Sequence, residues 1–123
     1  MSDMSSPKGG ATRVLAAYTV ATTFESLPSA VVQEAKRAIL DWAGCTVGGS
    51  AHPAVERAWK AVGPFAGAPQ ATLLGRSAKT DALHAALLNG IASHVFDFDD
   101  THPGCLVHPS GPVASALLAL GST

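Results

Sequence analysis

Residues 94 to 111 read HVFDFDDTHPGCLVHPSG and hold three aspartates, three histidines and a threonine, in a chain whose charged residues make up only 14% of the total. Carboxylates beside imidazoles are the usual equipment for moving protons: histidine gives or takes a proton near neutral pH, and aspartate orients it. Asp97, Asp99 and Asp100 follow a segment of helical period. They would therefore crowd a helix C-terminus that already carries about half a negative charge. A second helix begins just after His108, so its free N–H groups face the same region and suit a substrate carboxylate.

If the first of these helices persists through Asp100, then at 100° per residue His94, Asp97 and Phe98 share a face. Asp99 then turns away by about 160 to 200° and is expected to be a solvated or loop-capping carboxylate. His108 is the preferred catalytic histidine, with Asp97 brought to the same pocket. His102 is the second loop histidine, and His84 and His94 are expected to be satisfied helix residues.

Two other readings compete for the stretch. VFDFDDT matches the Asp-x-Asp-x-Thr signature of haloacid-dehalogenase-like phosphatases, which needs a strand ahead of it. Here the preceding residues run at helical period, and only 22 residues follow Thr101. A metal site from Asp97, Asp100, His102 and His108 lacks compact ligand spacing, so no metal is expected.

Five helices should position these groups. ATRVLAAYTVATTF places Val14, Leu15 and Tyr18 at helical spacing, after a leader of residues 1–10 expected to be disordered. SLPSAVVQEAKRAILDWAGCTVGGS sets Val32, Ala35, Ile39, Trp42 and Cys45 or Thr46 in a stripe that stops at Gly48 and Gly49. PAVERAWKAV turns Val55, Ala58, Trp59 and Val62 inward; a loop with an extended piece at Thr72 to Leu74 follows. The fourth helix carries Leu83, Leu87, Ile91, Val95 and Phe98 as its expected buried stripe, capped by Thr80 or Asp81. The last starts with Ser110 as N-cap and Pro112 in its first turn. The expected fold is an all-α, multi-helix layered domain. Its helices are apolar on more than one face, which points to a truncated part of a larger helical domain.

The 123 residues suit one domain or a piece of one. Eight Lys+Arg against nine Asp+Glu, without a basic run, argue against nucleic-acid binding. No apolar run approaches the roughly 18 residues a membrane span needs, and no signal-type segment opens the chain, so a cytoplasmic setting is expected. Cys45 and Cys105 lack redox or zinc spacing and are read as reduced and structural. The low charge implies that much surface is covered, with a homodimer as the expected assembly.

Three stretches, ILDWAGCTVGGS, ALLNGIASHVFDFDDTH and HPSGPVASALLAL, make the chain resemble the MmgE/PrpD family. This family includes 2-methylcitrate dehydratase, cis-aconitate decarboxylase and iminodisuccinate epimerase. The resemblance runs from about residue 12 and implies residues 11–123 are the N-terminal part of the helical domain, with the C-terminal lid domain absent. It further implies a lyase acting on small di- and tricarboxylates without metal or organic cofactor, of the dehydratase kind. Asp97 and Thr101 would be active-site polar groups and His108 a substrate-facing histidine. His102, in the linker that varies among members, is taken as a further substrate contact from its place in the loop and not from the resemblance. A non-catalytic helical remnant that serves only association is the alternative.

Overall fold

The computed structural model describes residues 10–123. The first nine positions of the expected leader lie outside the described residues, and Gly10, counted with them, opens a helix. The elements run α1 (Gly10–Ala21), a 3-10 turn (Phe24–Ser26), α2 (Ser29–Gly49), α3 (Pro53–Val62) and a second 3-10 turn (Gly63–Phe65). β1 (Ala71–Thr72), β2 (Lys79–Thr80), α4 (Ala82–His94) and α5 (Ser110–Gly121) follow. The mostly helical class expected from the periodicity is what forms. The two strands are a two-residue antiparallel pair, Ala71 opposite Thr80 and Thr72 opposite Lys79.

The chain divides into two compact units, one up to Glu34 and one from Ala35 onward. In the first, α1 buries none of its residues, and the Thr23 N–H donates to Ser26 Oγ at 3.1 Å in the turn that follows.

The second unit holds the core. His52 caps α3 by accepting the Ala54 N–H on its ring Nδ1 at 3.2 Å, ahead of Pro53, whose missing N–H costs nothing in a first turn. Asp81 caps α4: its Oδ1 accepts the His84 N–H at 3.1 Å and its Oδ2 the Gly67 N–H at 2.8 Å. Those donors hold the Asp81 carboxyl well below the usual carboxylate range. Asn89 is fully buried and pins the hairpin to α4, accepting the Leu74 N–H at 3.0 Å and donating to the Thr72 carbonyl at 2.9 Å. Arg76 binds the Ser50 carbonyl and Glu56 Oε1, the latter at 2.7 Å, so its charge ties the hairpin loop to the turn after α2 and to α3.

The buried face of α4 is not the expected one. Leu83, Leu87 and Phe98 are exposed, and Ile91 and Val95 are half-buried. Ala85, Leu88, Asn89, Ala92 and Ser93 are buried in their place. A helix apolar on several faces can pack by any of them, and the small-residue face wins because it permits the closest approach. At the crossing with α2, a Cβ on Gly49 would overlap the Ala92 carbonyl. The α2 stripe is buried only in its second half, at Trp42, Cys45 and Thr46, while Ile39 is exposed. Trp42 Nε1 donates to Ser115 Oγ at 3.1 Å, which joins α2 to α5 through two buried side chains. No helix among the described residues is long and apolar enough to cross a membrane.

The close crossing makes a paired test. Gly49→Ala is expected to destabilise the protein by about 1–3 kcal/mol through overpacking. Gly48→Ala, where a Cβ meets nothing within 4 Å, should stabilise it by about 0.5–1 kcal/mol. Urea unfolding of both variants against wild type reads the difference; equal effects would mean that α2 and α4 do not pack this closely.

Candidate active site

α4 ends at His94, six residues before the expected end. The Asp97 N–H closes a turn onto the His94 carbonyl at 3.0 Å, and Asp97 itself takes a left-handed conformation with φ of 56°. Aspartate tolerates that region better than most residues and so can end a helix there. Continuing the helix would have stacked three carboxylates on its negative pole. The reversal changes which aspartate points where. The side chain of Asp97 is 78% exposed, whereas that of Asp99, expected in solvent, is 1% exposed.

Four side chains come together as a result. Asp99 Oδ1 lies 2.8 Å from His94 Nδ1 and 3.2 Å from His108 Nδ1. Only the first contact has hydrogen-bond geometry, which leaves Asp99 Oδ2 and His108 Nδ1 buried without partners. A buried polar atom left unpaired typically costs about 1–3 kcal/mol. On the far edges of the rings, Asp97 Oδ1 is 3.9 Å from His94 Nε2 and 3.7 Å from His108 Nε2. The two imidazoles meet edge to face with centroids 4.6 Å apart. Gly111, in the first turn of α5, makes room for this: a Cβ there would lie 3.3 Å from Ser93 Oγ and 3.7 Å from Asp99 Oδ2.

Asp97 and His108, the expected acid/base pair, are thus in one place, but His94 and Asp99 stand with them. Sequence reasoning missed Asp99 because it ran the helix on through Asp100, and it set His94 aside as a satisfied helix residue although the same helix placed it on the face of Asp97. The local signal was the same acidic crowding, which a helix terminus does not sustain. Thr101 is exposed and donates to the Asp99 carbonyl at 3.3 Å. His102 lies outside the cluster. Its Nδ1 accepts the Gly104 N–H at 3.2 Å and sits 3.3 Å from Cys105 Sγ, and its backbone pairs with Val107. The α5 N-terminus, expected to receive a substrate carboxylate, is occupied by one from the chain itself. Asp100 accepts the Ser110 N–H at 3.2 Å and the Ser110 hydroxyl at 2.7 Å, so Asp100 does the capping expected of Ser110.

Three of the four, His94, Asp99 and His108, line an open groove of about 710 Å³, whose walls also include Leu87, Ile91 and Pro112. That volume is ample for a small organic acid, but the walls are apolar. His94, Asp97, Asp99 and His108 offer ligand-type atoms within 4.8 Å of one another, so these four, rather than Asp97, Asp100, His102 and His108, are the ones able to face a cation. The phosphatase reading fails on geometry, since thirteen helical residues and no strand lead up to the Asp97 turn. Both cysteines are free; Cys45 is buried and Cys105 exposed. Burial pushes the Cys45 thiol up, and the charges of Asp41, Asp99 and Asp100 add to the effect.

The Asp99 hydrogen bond raises the His94 pKa against the opposing effect of desolvation, with the charges of Asp99 and Asp97 adding to the rise. A histidine whose folded value lies above its unfolded one, about 6.5, stabilises the fold fully below that value. The contribution is lost as pH rises through the folded value. With Asp97, Asp99 and His108 as the charged and titratable groups facing it, stability should fall as pH rises from about 6.5 upward. Asp99→Asn should flatten that slope. Urea midpoints measured across the range check this, and an unchanged slope in the variant would refute the assignment.

The sequence from residue 13 to residue 123 matches the model of the MmgE/PrpD N-terminal domain. Among curated proteins, the chain is similar to the cis-aconitate decarboxylase-like protein oryM of Aspergillus oryzae, 29% identical over 94% of this chain and 24% of that protein. It is 33% identical to mouse cis-aconitate decarboxylase over 76% of this chain and 19% of the relative. To the human enzyme it is 35% identical, over 76% of this chain and 20% of the relative. The chain therefore spans about a quarter or less of the length of these curated relatives. With the family model covering the chain from residue 13 to its last residue, and the cluster sitting where α4 gives way to α5, the protein belongs to the MmgE/PrpD family.

Proposed function

We propose that the chain is the N-terminal portion of a cofactor-independent lyase acting on small di- or tricarboxylates by acid/base chemistry. The observation that carries the reading is the convergence of His94, Asp97, Asp99 and His108, three of which (His94, Asp99 and His108) line an open groove, in a chain of this family. His108 Nε2 faces Asp97 rather than the buried carboxylate. It is the group to take a proton from carbon next to a substrate carboxylate, or to return one to a carbanion-like centre. Thr101 and His102, exposed on the loop after Asp100, are the proposed substrate contacts. Cations for the substrate's charges must come from outside this cluster, because its two carboxylates repel a polyanion.

In the dehydratase form of the reaction, of the 2-methylcitrate kind, the base removes a C–H proton, the electron pair forms the double bond, and hydroxide leaves with a proton from the acid. A second form is favoured by the names of the relatives, which are cis-aconitate decarboxylases or like them. There the breaking C–C bond leaves its electrons on carbon as carbon dioxide departs, and the imidazolium protonates that carbon. Supplying the full-length protein with 2-methylcitrate and with cis-aconitate, and following water loss and carbon dioxide release, separates the two. Inertness toward every di- and tricarboxylate would leave the association module. The reading includes no nucleic-acid or membrane partner, a cytoplasmic setting and a homodimer. Exposure of Val20, Leu40, Leu117 and Leu120 supports association.

In the full-length enzyme, His108→Ala and Asp97→Ala should each lower turnover by about 10² to 10⁴ with the fold retained by circular dichroism. A folded His108→Ala enzyme with near-normal turnover would remove His108 from the chemistry. Turnover should also survive EDTA. Loss in the chelator, restored by one divalent ion, would convert the four-residue cluster into a metal centre.

A further inference from the structure

We propose that Asp99 is the positioning residue of this site, a single buried carboxylate that sets the tautomer and orientation of both His94 and His108. An ionised carboxylate only accepts hydrogen bonds, so an imidazole nitrogen held against it must carry the proton. His94 Nδ1 at 2.8 Å and His108 Nδ1 at 3.2 Å both face the same oxygen, Asp99 Oδ1. Each ring is then the Nδ1–H form when neutral, and each lone pair sits on Nε2. In water the opposite form of the histidine side chain predominates. The arrangement therefore turns two basic nitrogens toward Asp97, whose Oδ1 is 3.9 Å and 3.7 Å from them.

The two unpartnered atoms fit this assignment. Among the described residues, the buried side-chain atoms without a hydrogen bond are Asp99 Oδ2, an acceptor, and His108 Nδ1, a donor in this tautomer. They belong to residues already in contact, and a small turn of the His108 ring joins donor to carboxylate. When His108 Nε2 takes a proton from substrate carbon, the ring becomes cationic and Asp99 stabilises that charge with no second proton moving. His94 is the other imidazole on the same carboxylate, and its bond holds Asp99 in place for His108. The effect on turnover rests on the lyase reading; the tautomers do not.

The test is nitrogen-15 NMR of the imidazole rings in the full-length protein, as wild type and as Asp99→Asn and Asp99→Ala, without substrate. Wild type should show Nδ1–H forms at both His94 and His108 at a pH where the rings are neutral, and both variants should shift the two rings toward Nε2–H. On whichever carboxylate wild type turns over, Asp99→Asn should lower kcat by about 10²-fold or more with KM within about 3-fold. A merely structural carboxylate would alter stability and leave the tautomers of the folded variant unchanged, and that result overturns the proposal. So does a wild-type His108 in the Nε2–H form, which can be read even if both variants fail to fold. Tautomers that shift while kcat holds also overturn it. Expected tautomers in a protein that turns over no carboxylate would support the positioning and sink the lyase reading alone.

Discussion

Close approach of α4 to its neighbours is the constraint on which the second unit depends. Gly49 of α2 and Gly111 of α5 stand where a single added carbon would overlap the Ala92 carbonyl or crowd the Ser93 side chain. Ala85, Ala92, Ser115 and Ala119 fill the same region with small groups. Helices packed this way gain dispersion contacts along their backbones while hiding little bulky side chain. The consequence for chemistry is positional: with α4 and α5 held closely, the loop between them must return a histidine to the place where α4 stops.

That loop solves an electrostatic problem by separating three adjacent acids. Asp100 goes to the N-terminus of α5, where N–H groups and the positive end of the helix favour it. Asp97 stays at the surface, and Asp99 is buried against two imidazoles. Burying a carboxylate is costly unless charge or hydrogen bonds offset it, and His94 supplies such a bond. An apolar residue of similar volume at position 99 would avoid the desolvation cost, so the carboxylate is better explained by what it does to the rings than by stability.

The same small-residue packing leaves large side chains outward. Leu83, Leu87, Leu117 and Leu120 are exposed, and the groove that His94, Asp99 and His108 help to line is walled mainly by apolar groups. A polyanionic substrate gains nothing from such walls.

The order and kind of the helices were legible in the residues themselves, because periodicity and caps are local. Pro53 opened α3, Asp81 capped α4, and the Gly48–Gly49 pair ended α2, each as its own chemistry dictates. Crowding of acids and histidines between residues 94 and 108 likewise marked where the cluster forms and named Asp97 and His108, two of its four side chains. Which face of α4 is buried was not legible, since a helix apolar all round carries no preference until neighbours choose one. Nor was the partition of Asp97, Asp99 and Asp100 among solvent, imidazoles and helix cap. A left-handed turn at Asp97 decided it, and the partners that receive Asp99 and Asp100, His108 and Ser110, are brought within reach only by the tertiary structure.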